Sequence, residues 1–401
     1  MKTIVLVELY WTGHHPTYFK TFVRVLLEAG FTVIGLCPAP EEVEIFLNAS
    51  AKACSGRYFL FRYDRHELRL SPSGRAGSSI ATIKRWRAAG TEIRRIAAEV
   101  GINPDTVFFS YLDSYLNKHV PGWLIDKVFP FPWSGLYFAP TDLRVQRRKF
   151  IDQTMGFDHN SVLRSSGCRG VALLDEGVAE ELKKRIESKP IVTFPDFADV
   201  SSPDMKYDVA STVVDRARGR RIISLLGYLD RRKGLLTLLR VAKKSSGKDF
   251  FFVVAGKLVR ESYSLEELSE IADCVDTRPE NCYFGFEFIP SEASFNALVA
   301  CSDIIHIAYE RFYFSSNMLS KAAFFNKHVI ASDGSCIADR VRKYKLGKVI
   351  REKDVDDYIT AVDEIVLNLN DPEYDNGCNF EAYSRDHSAD KLADSFRKLL
   401  G

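Results

Sequence analysis

The chain has 401 residues, of which 46% are hydrophobic and 27% charged, and a formal net charge of +2. That length exceeds one ordinary hydrophobic core and implies two domains; the near-balanced charge makes no electrostatic case for nucleic acid as a partner. The eight cysteines include no C-x-x-C pair, which argues against a zinc site or a disulfide framework and fits a reducing compartment.

The first residues, MKTIVLVELYW, read as a short strand rather than a signal peptide, because acidic Glu8 interrupts the apolar run and no cleavage-like site follows. No apolar run approaches the roughly 20 residues that span a bilayer. The expected location is cytoplasmic, with contact at the inner face of a membrane left open. Residues 4–9 form the strand, and Trp11-Thr12-Gly13-His14-His15-Pro16 form the loop after it. A helix follows, with its apolar face at Phe19, Phe22, Val23, Leu26 and Leu27 and its stop at Gly30. Residues 31–36 are the next strand, which completes a βαβ unit of a parallel sheet. The loop carrying the two histidines then falls at the carboxyl edge, where open α/β sheets place ligands.

Residues 41–54 read as a helix, 58–63 as a strand, 70–79 as a polar loop and 80–100 as a helix rich in Lys84, Arg85, Arg87, Arg94 and Arg95, either solvated or functional. Residues 105–111 are a buried strand with Asp113 just past its end, a catalytic carboxylate or a helix cap. The aromatic run 128–138 holds another strand. Its Pro132-Trp133-Ser134-Gly135 portion either sits inside that strand or, with Arg144, Arg147, Arg148 and Lys149, lines an acceptor site or touches lipid headgroups. Strands at 170–174 and 190–194 flank a helix opened by Asp175-Glu176, and the polar stretch up to Gly219 marks a domain boundary.

The second half repeats the architecture. Strands are expected at 222–226, 250–255, 282–284, 303–308, 328–331 and 348–350, with helices between them. After the first of these strands come Gly227, a loop bearing Arg231, Arg232 and Lys233, and a helix opened by Gly234. Cations at a helix N-terminus make a site for phosphate groups; the alternative is a solvated charged loop.

The run Gly227-Tyr228-Leu229-Asp230-Arg231-Arg232-Lys233-Gly234 resembles the G-R-L-x-x-x-K-G pattern of the retaining GT-B glycosyltransferases of family four. Lys327-His328-Val329-Ile330-Ala331-Ser332-Asp333-Gly334 and Phe194-Pro195-Asp196-Phe197-Ala198-Asp199 are similar to two further segments of that family. The resemblance implies an α/β GT-B fold of two doubly wound Rossmann-like domains facing across a cleft. Residues 1–200 would form the acceptor-side domain, 201–380 the nucleotide-sugar domain, and 381–401 a helix crossing back to the first domain. It implies metal-independent transfer of a hexose from a nucleotide sugar to a sugar, lipid or small-molecule acceptor with retention of configuration, and no cofactor. The pattern assigns Lys233 and Arg232 to the donor diphosphate, while Tyr228 stands where the family has a second cation. It assigns Gly285 and Phe286 to the nucleobase segment, Gly13 to close approach of a diphosphate or sugar, and Ser316, Asn317 and Met318 to a helix start that offers N–H groups to phosphate. His14 and Asp113 are the candidates for sugar or acceptor contact.

The family's two glutamates fall on Tyr313 and Lys321, and sliding the register onto Glu310 pairs it with Met318, so the acidic pair is absent. A tyrosine still hydrogen-bonds a sugar hydroxyl, whereas an ammonium cannot accept from one. Lys321 either meets a carboxylate or phosphate or lays its stem on the helix. Asp354-Val355-Asp356 is assigned to helix N-terminal charge rather than to a metal. The alternative to an enzyme is a GT-B scaffold that binds a nucleotide or glycan without catalysis.

Overall fold

The computed structural model describes residues 2–50, 58–63, 79–144, 160–369 and 377–401. Arg147, Arg148, Lys149, the expected loop up to residue 78 and the helical residues 51–54 lie outside them. The chain divides into two units, one of Met1–Pro195 with Ser388–Gly401, the other of Asp196–His387.

In the first unit, β1 (Thr3–Val7), β2 (Thr32–Cys37), β3 (Tyr58–Arg62), β4 (Thr106–Phe109), β5 (Trp133–Tyr137), β6 (Cys168–Leu173) and β7 (Ile191–Thr193) form one sheet. Its order is β3-β2-β1-β4-β5-β6-β7, parallel throughout. The chain reverses its direction of winding between β1 and β4, so the loops leaving those two strands part and open a crevice at the carboxyl edge. The histidine loop follows β1 and Asp113 follows β4.

The second sheet contains β8 (Arg221–Leu226), β9 (Phe250–Ala255), β10 (Cys282–Gly285), β11 (Ile304–Ile307), β12 (His328–Ser332) and β13 (Gly347–Ile350). Its order is β10-β9-β8-β11-β12-β13, again parallel. Here the reversal lies between β8 and β11, which places the basic turn after β8 beside the loop after β11. The strands are covered on both faces, which is why they read as unbroken apolar runs; every residue of the FFFVVA strand β9 is buried. The architecture is the α/β, doubly wound one expected.

Trp133 is 0% exposed, and its ring packs 4.8 Å from that of Trp86 in the first unit's core. Ser134 beside it is also buried in β5. Trp133, Ser134 and Gly135 are therefore interior strand, and the reading that put them against lipid or acceptor fails, because a tryptophan on a central strand turns its large apolar face inward. Arg144, expected beside it, pairs instead with Asp175 at 3.0 Å.

The C-terminal segment is two helices rather than one. Phe380–Asp386 belongs to the second unit, and Ala389–Leu400, capped by Ser388, belongs to the first. The break falls at His387, whose ring Nδ1 accepts from the Asp196 N–H at 3.0 Å. Phe396 of the last helix meets Phe22, Phe108 and Phe194 with ring centroids 5.2, 5.1 and 4.7 Å away. All four tryptophans of the chain (Trp11, Trp86, Trp123, Trp133) lie in the first unit, so tryptophan fluorescence reports that unit's unfolding. Phe396→Ala is expected to lower the urea midpoint of that signal by an amount equivalent to about 3–5 kcal/mol; an unchanged midpoint would show that the helix adds nothing to the unit.

Candidate functional site

The basic turn is held from three sides. Gly256, at the end of β9, has φ +131, and a Cβ there would lie 1.9 Å from the Gly227 carbonyl oxygen, so the chains leaving β8 and β9 touch backbone to backbone. The Leu229 N–H donates to the Lys257 carbonyl at 2.9 Å and continues that contact. Arg231–Lys233 then form one 3-10 turn, started by the Asp230 carboxylate, which accepts from the Arg232 N–H at 2.9 Å. Gly234 ends it with φ +73 and opens the helix Leu235–Lys244; a Cβ at this glycine would meet the Ala308 carbonyl at 2.7 Å.

Beneath the turn lies His306, on β11. A carbonyl oxygen only accepts, so the 2.9 Å contact between His306 Nε2 and the Lys233 carbonyl places the proton on Nε2. Nδ1 then accepts from the Tyr358 hydroxyl at 3.0 Å. Burial lowers the ring pKa to about 4, which keeps it neutral.

The three cations of the turn differ in what they can do. Arg231 is committed to Glu267 at 2.7 Å. Arg232, 60% exposed, pairs with Asp230 at 2.6 Å and lies over the Phe312 ring at 5.4 Å. Lys233 donates from Nζ to the Tyr309 hydroxyl at 2.7 Å. The loop after β11 is bound to the same turn: the Glu310 N–H donates to the Arg232 carbonyl at 2.7 Å. The buried Glu310 carboxylate accepts from Thr237 at 3.1 Å and pairs with Lys353 at 3.1 Å. Reading the sequence missed His306, Tyr309, Tyr358 and Lys353. For His306 and Tyr309 the only signal is position, at the carboxyl end of a strand flanking the reversal; Lys353, in the loop after β13, and Tyr358, in the helix Val355–Asn368, carry none.

Tyr313 is half-buried, and its carbonyl accepts from the Cys336 N–H at 3.0 Å. At the helix Asn317–Phe324, the Ser316 hydroxyl accepts from the Met318 N–H at 3.4 Å. Of the two N–H groups expected to face phosphate, that of Met318 is thus capped from within the chain, while Asn317 is half-buried. Lys321 is committed to partners within the chain. Its side chain is 4% exposed, and Nζ donates to the Asp199 carbonyl, the Glu292 carboxylate and the Asn296 side-chain oxygen at 2.6, 2.7 and 2.7 Å. An ammonium has three hydrogens, and all three are used. This takes Lys321 out of the expected donor set, since its charge already neutralises a neighbouring carboxylate. Gly285 ends β10 with its carbonyl bonded to the Gly256 N–H at 2.8 Å, and the Phe286 ring stacks near Phe284 at 6.1 Å. Asp354 caps its helix through the Asp357 N–H at 2.9 Å and pairs with Arg351, and Asp356 pairs with Lys244, so both carboxylates serve charge balance.

A second cluster occupies the reversal point of the first unit. Glu8, at the end of β1, is buried; one carboxylate oxygen accepts from the Leu9 and Tyr10 N–H groups at 2.8 and 3.0 Å, and the other meets His15 Nδ1 at 3.0 Å. Gly13 (φ +61) leads into His14, whose ring stacks on Phe138 at 4.4 Å and on His15 at 4.8 Å. Burial, then the charge of His15, lowers the His14 pKa to about 4, and its Nε2 is buried with no partner among the described residues. Asp113 accepts from the Phe138 and Ala139 N–H groups, each at 2.7 Å. Burial raises its pKa to about 6 against the pull of those N–H groups. Phe138 thus joins His14 and Asp113, ring to one and amide to the other. Glu8, read in the sequence only as an interruption, holds the loop.

No protein-family model and no curated protein matches the chain. Solved structures do match over its full length. Sucrose-phosphate synthase from Thermosynechococcus elongatus has 15% identity and a TM-score of 0.67, covering 100% of this chain and 98% of its own. A glycosyltransferase from Rickettsia africae has 13% identity and a TM-score of 0.64, covering 99% and 98%. HepE from Anabaena, in complex with UDP and glucose, has 10% identity and a TM-score of 0.62, covering 100% and 99%. The chain has the GT-B glycosyltransferase fold that these structures share.

The neutral His306 makes the turn acid-sensitive. Its folded pKa of about 4 lies below the ordinary 6.5, so the stability it contributes is present above pH 6.5 and lost as pH falls towards 4. His306→Gln is expected to flatten the fall in unfolding free energy across that window by on the order of 3 kcal/mol. Denaturant titrations at several pH values check this; parallel curves for the two proteins would mean that His306 is not held neutral.

Proposed function

We propose that this protein is a glycosyltransferase that takes a sugar from a nucleotide-sugar donor and passes it to an acceptor hydroxyl. The observation that carries the reading is the immobilised turn with Lys233 and Arg232 at the reversal point of the second sheet. Two cations on a fixed backbone suit a diphosphate. As the bond between sugar and diphosphate breaks, negative charge grows on the leaving oxygen. Lys233, exchanging the Tyr309 hydroxyl for a phosphate oxygen, and Arg232 would stabilise that charge without a metal. Departure stabilised on the side it leaves from is compatible with retention of configuration. The fold supports the choice, since HepE with this architecture holds UDP and glucose. The cluster of His14 and Asp113 in the first unit would contact the acceptor or the transferred sugar, and the loop of Gly285 and Phe286 the base.

A second reading, a scaffold that binds a nucleotide sugar without turnover, is favoured by Lys321, a residue spent on structure where the resembling family has a glutamate. Donor hydrolysis separates the two. A panel of nucleotide sugars is tested for thermal shift and for slow release of free sugar. The enzyme reading expects one donor to stabilise the protein and turn over, with kcat/KM reduced about a hundredfold in Lys233→Ala. Stabilisation without turnover in the presence of lipid and sugar acceptors selects the scaffold, and no shift with any donor refutes both.

A further inference from the structure

Arg311 sits in the loop after β11 with φ +50, a left-handed conformation that residues other than glycine, asparagine and aspartate adopt at a cost. Lys353, in the loop after β13, has φ +66. The two loops hold each other in this state: the Arg311 N–H donates to the Glu352 carboxylate at 2.8 Å, and Lys353 Nζ pairs with the Glu310 carboxylate at 3.1 Å. Strands β11 and β13 are not neighbours, since β12 runs between them, so the paired loops reach across its carboxyl end. The Arg311 side chain is exposed, and among the described residues its guanidinium has no acidic partner.

Arg311 is also the link between two contacts to the basic turn. The residue before it, Glu310, donates to the Arg232 carbonyl at 2.7 Å, and the ring of the residue after it, Phe312, lies 5.4 Å from the Arg232 guanidinium carbon. Of the turn's own three cations, Arg231 is already neutralised by Glu267. A glycine at position 311 would take the same backbone conformation without strain, so the backbone alone does not account for an arginine there.

We propose that Arg311 supplies a further cation, binding the diphosphate of a nucleoside diphosphate or its sugar ester together with Lys233 and Arg232, and that the Glu310–Lys353 and Glu352 contacts are the device that positions it. The inference rests on the glycosyltransferase reading and names a phosphate-binding residue outside the family pattern. The planar guanidinium suits two phosphate oxygens at once, which a lysine cannot reproduce.

The test measures binding of UDP, GDP and ADP, with the corresponding monophosphates, to wild type, Arg311→Gly, Arg311→Lys and Lys233→Ala by calorimetry, alongside melting temperatures. Arg311→Gly is expected to melt at or above the wild-type temperature and to bind the preferred diphosphate about tenfold more weakly. Its preference for diphosphate over monophosphate should fall, and Arg311→Lys should recover part of it. If Arg311→Gly binds as wild type while Lys233→Ala does not, the inference is overturned and the glycosyltransferase reading stands. Equal losses for diphosphate and monophosphate also overturn it, because they mark a general disturbance of the loop. If wild type binds none of the three diphosphates, the underlying reading fails and Arg311 fails with it.

Discussion

One hydrogen bond governs the geometry of the candidate donor site: the one from a buried, neutral histidine to the carbonyl of Lys233. His306 is set on β11, where the parallel sheet reverses its winding; the Lys233 carbonyl fixes which nitrogen donates, and Tyr358 satisfies the other. The turn above it cannot drift, because Gly234 is pressed against the Ala308 carbonyl and Glu310 holds the Arg232 carbonyl from the side. A cation on a mobile loop loses much of its attraction for an anion to the entropy of ordering; here the ordering is done by folding.

The elements of this arrangement were visible in the sequence to different degrees. Strands β8 and β9 stand out as apolar runs that stop at glycine, and the cations between Gly227 and Gly234 mark the start of the next helix, where phosphate binding and a solvated charged loop were both open readings. Both signals are local, set by a parallel sheet buried on two faces and by a helix N-terminus. Lys321 was not legible in that way, since its partners come from two segments distant in sequence, Asp199 from one and Glu292 and Asn296 from a single helix. Nor was His306, one polar residue in a strand that reads as apolar. Trp133 could have faced either way, because aromatic runs occur in cores and at surfaces alike; the burial of every residue of β5 decides it. Glu8, read in the sequence only as an interruption of an apolar run, is buried, with two backbone N–H groups and a histidine to satisfy it.

The first unit's cluster follows the same design with different chemistry. Where the second unit gathers cations on a turn, the first stacks His14 between Phe138 and His15 and lets the Phe138 amide hold Asp113. Burial drives these two groups towards their neutral forms from opposite sides, the histidine downward and the carboxyl upward.

The way the last helix completes the first unit bears on how the chain is made. Phe22, Phe108 and Phe194 all precede Asp196, whereas the ring that fills the space among them, Phe396, follows the whole second unit. On a ribosome, the first unit therefore emerges with its aromatic core open and waits on the order of ten to forty seconds for the residue that closes it. The second unit, contiguous from Asp196 to His387, has no such delay. The domain translated first is the one finished last.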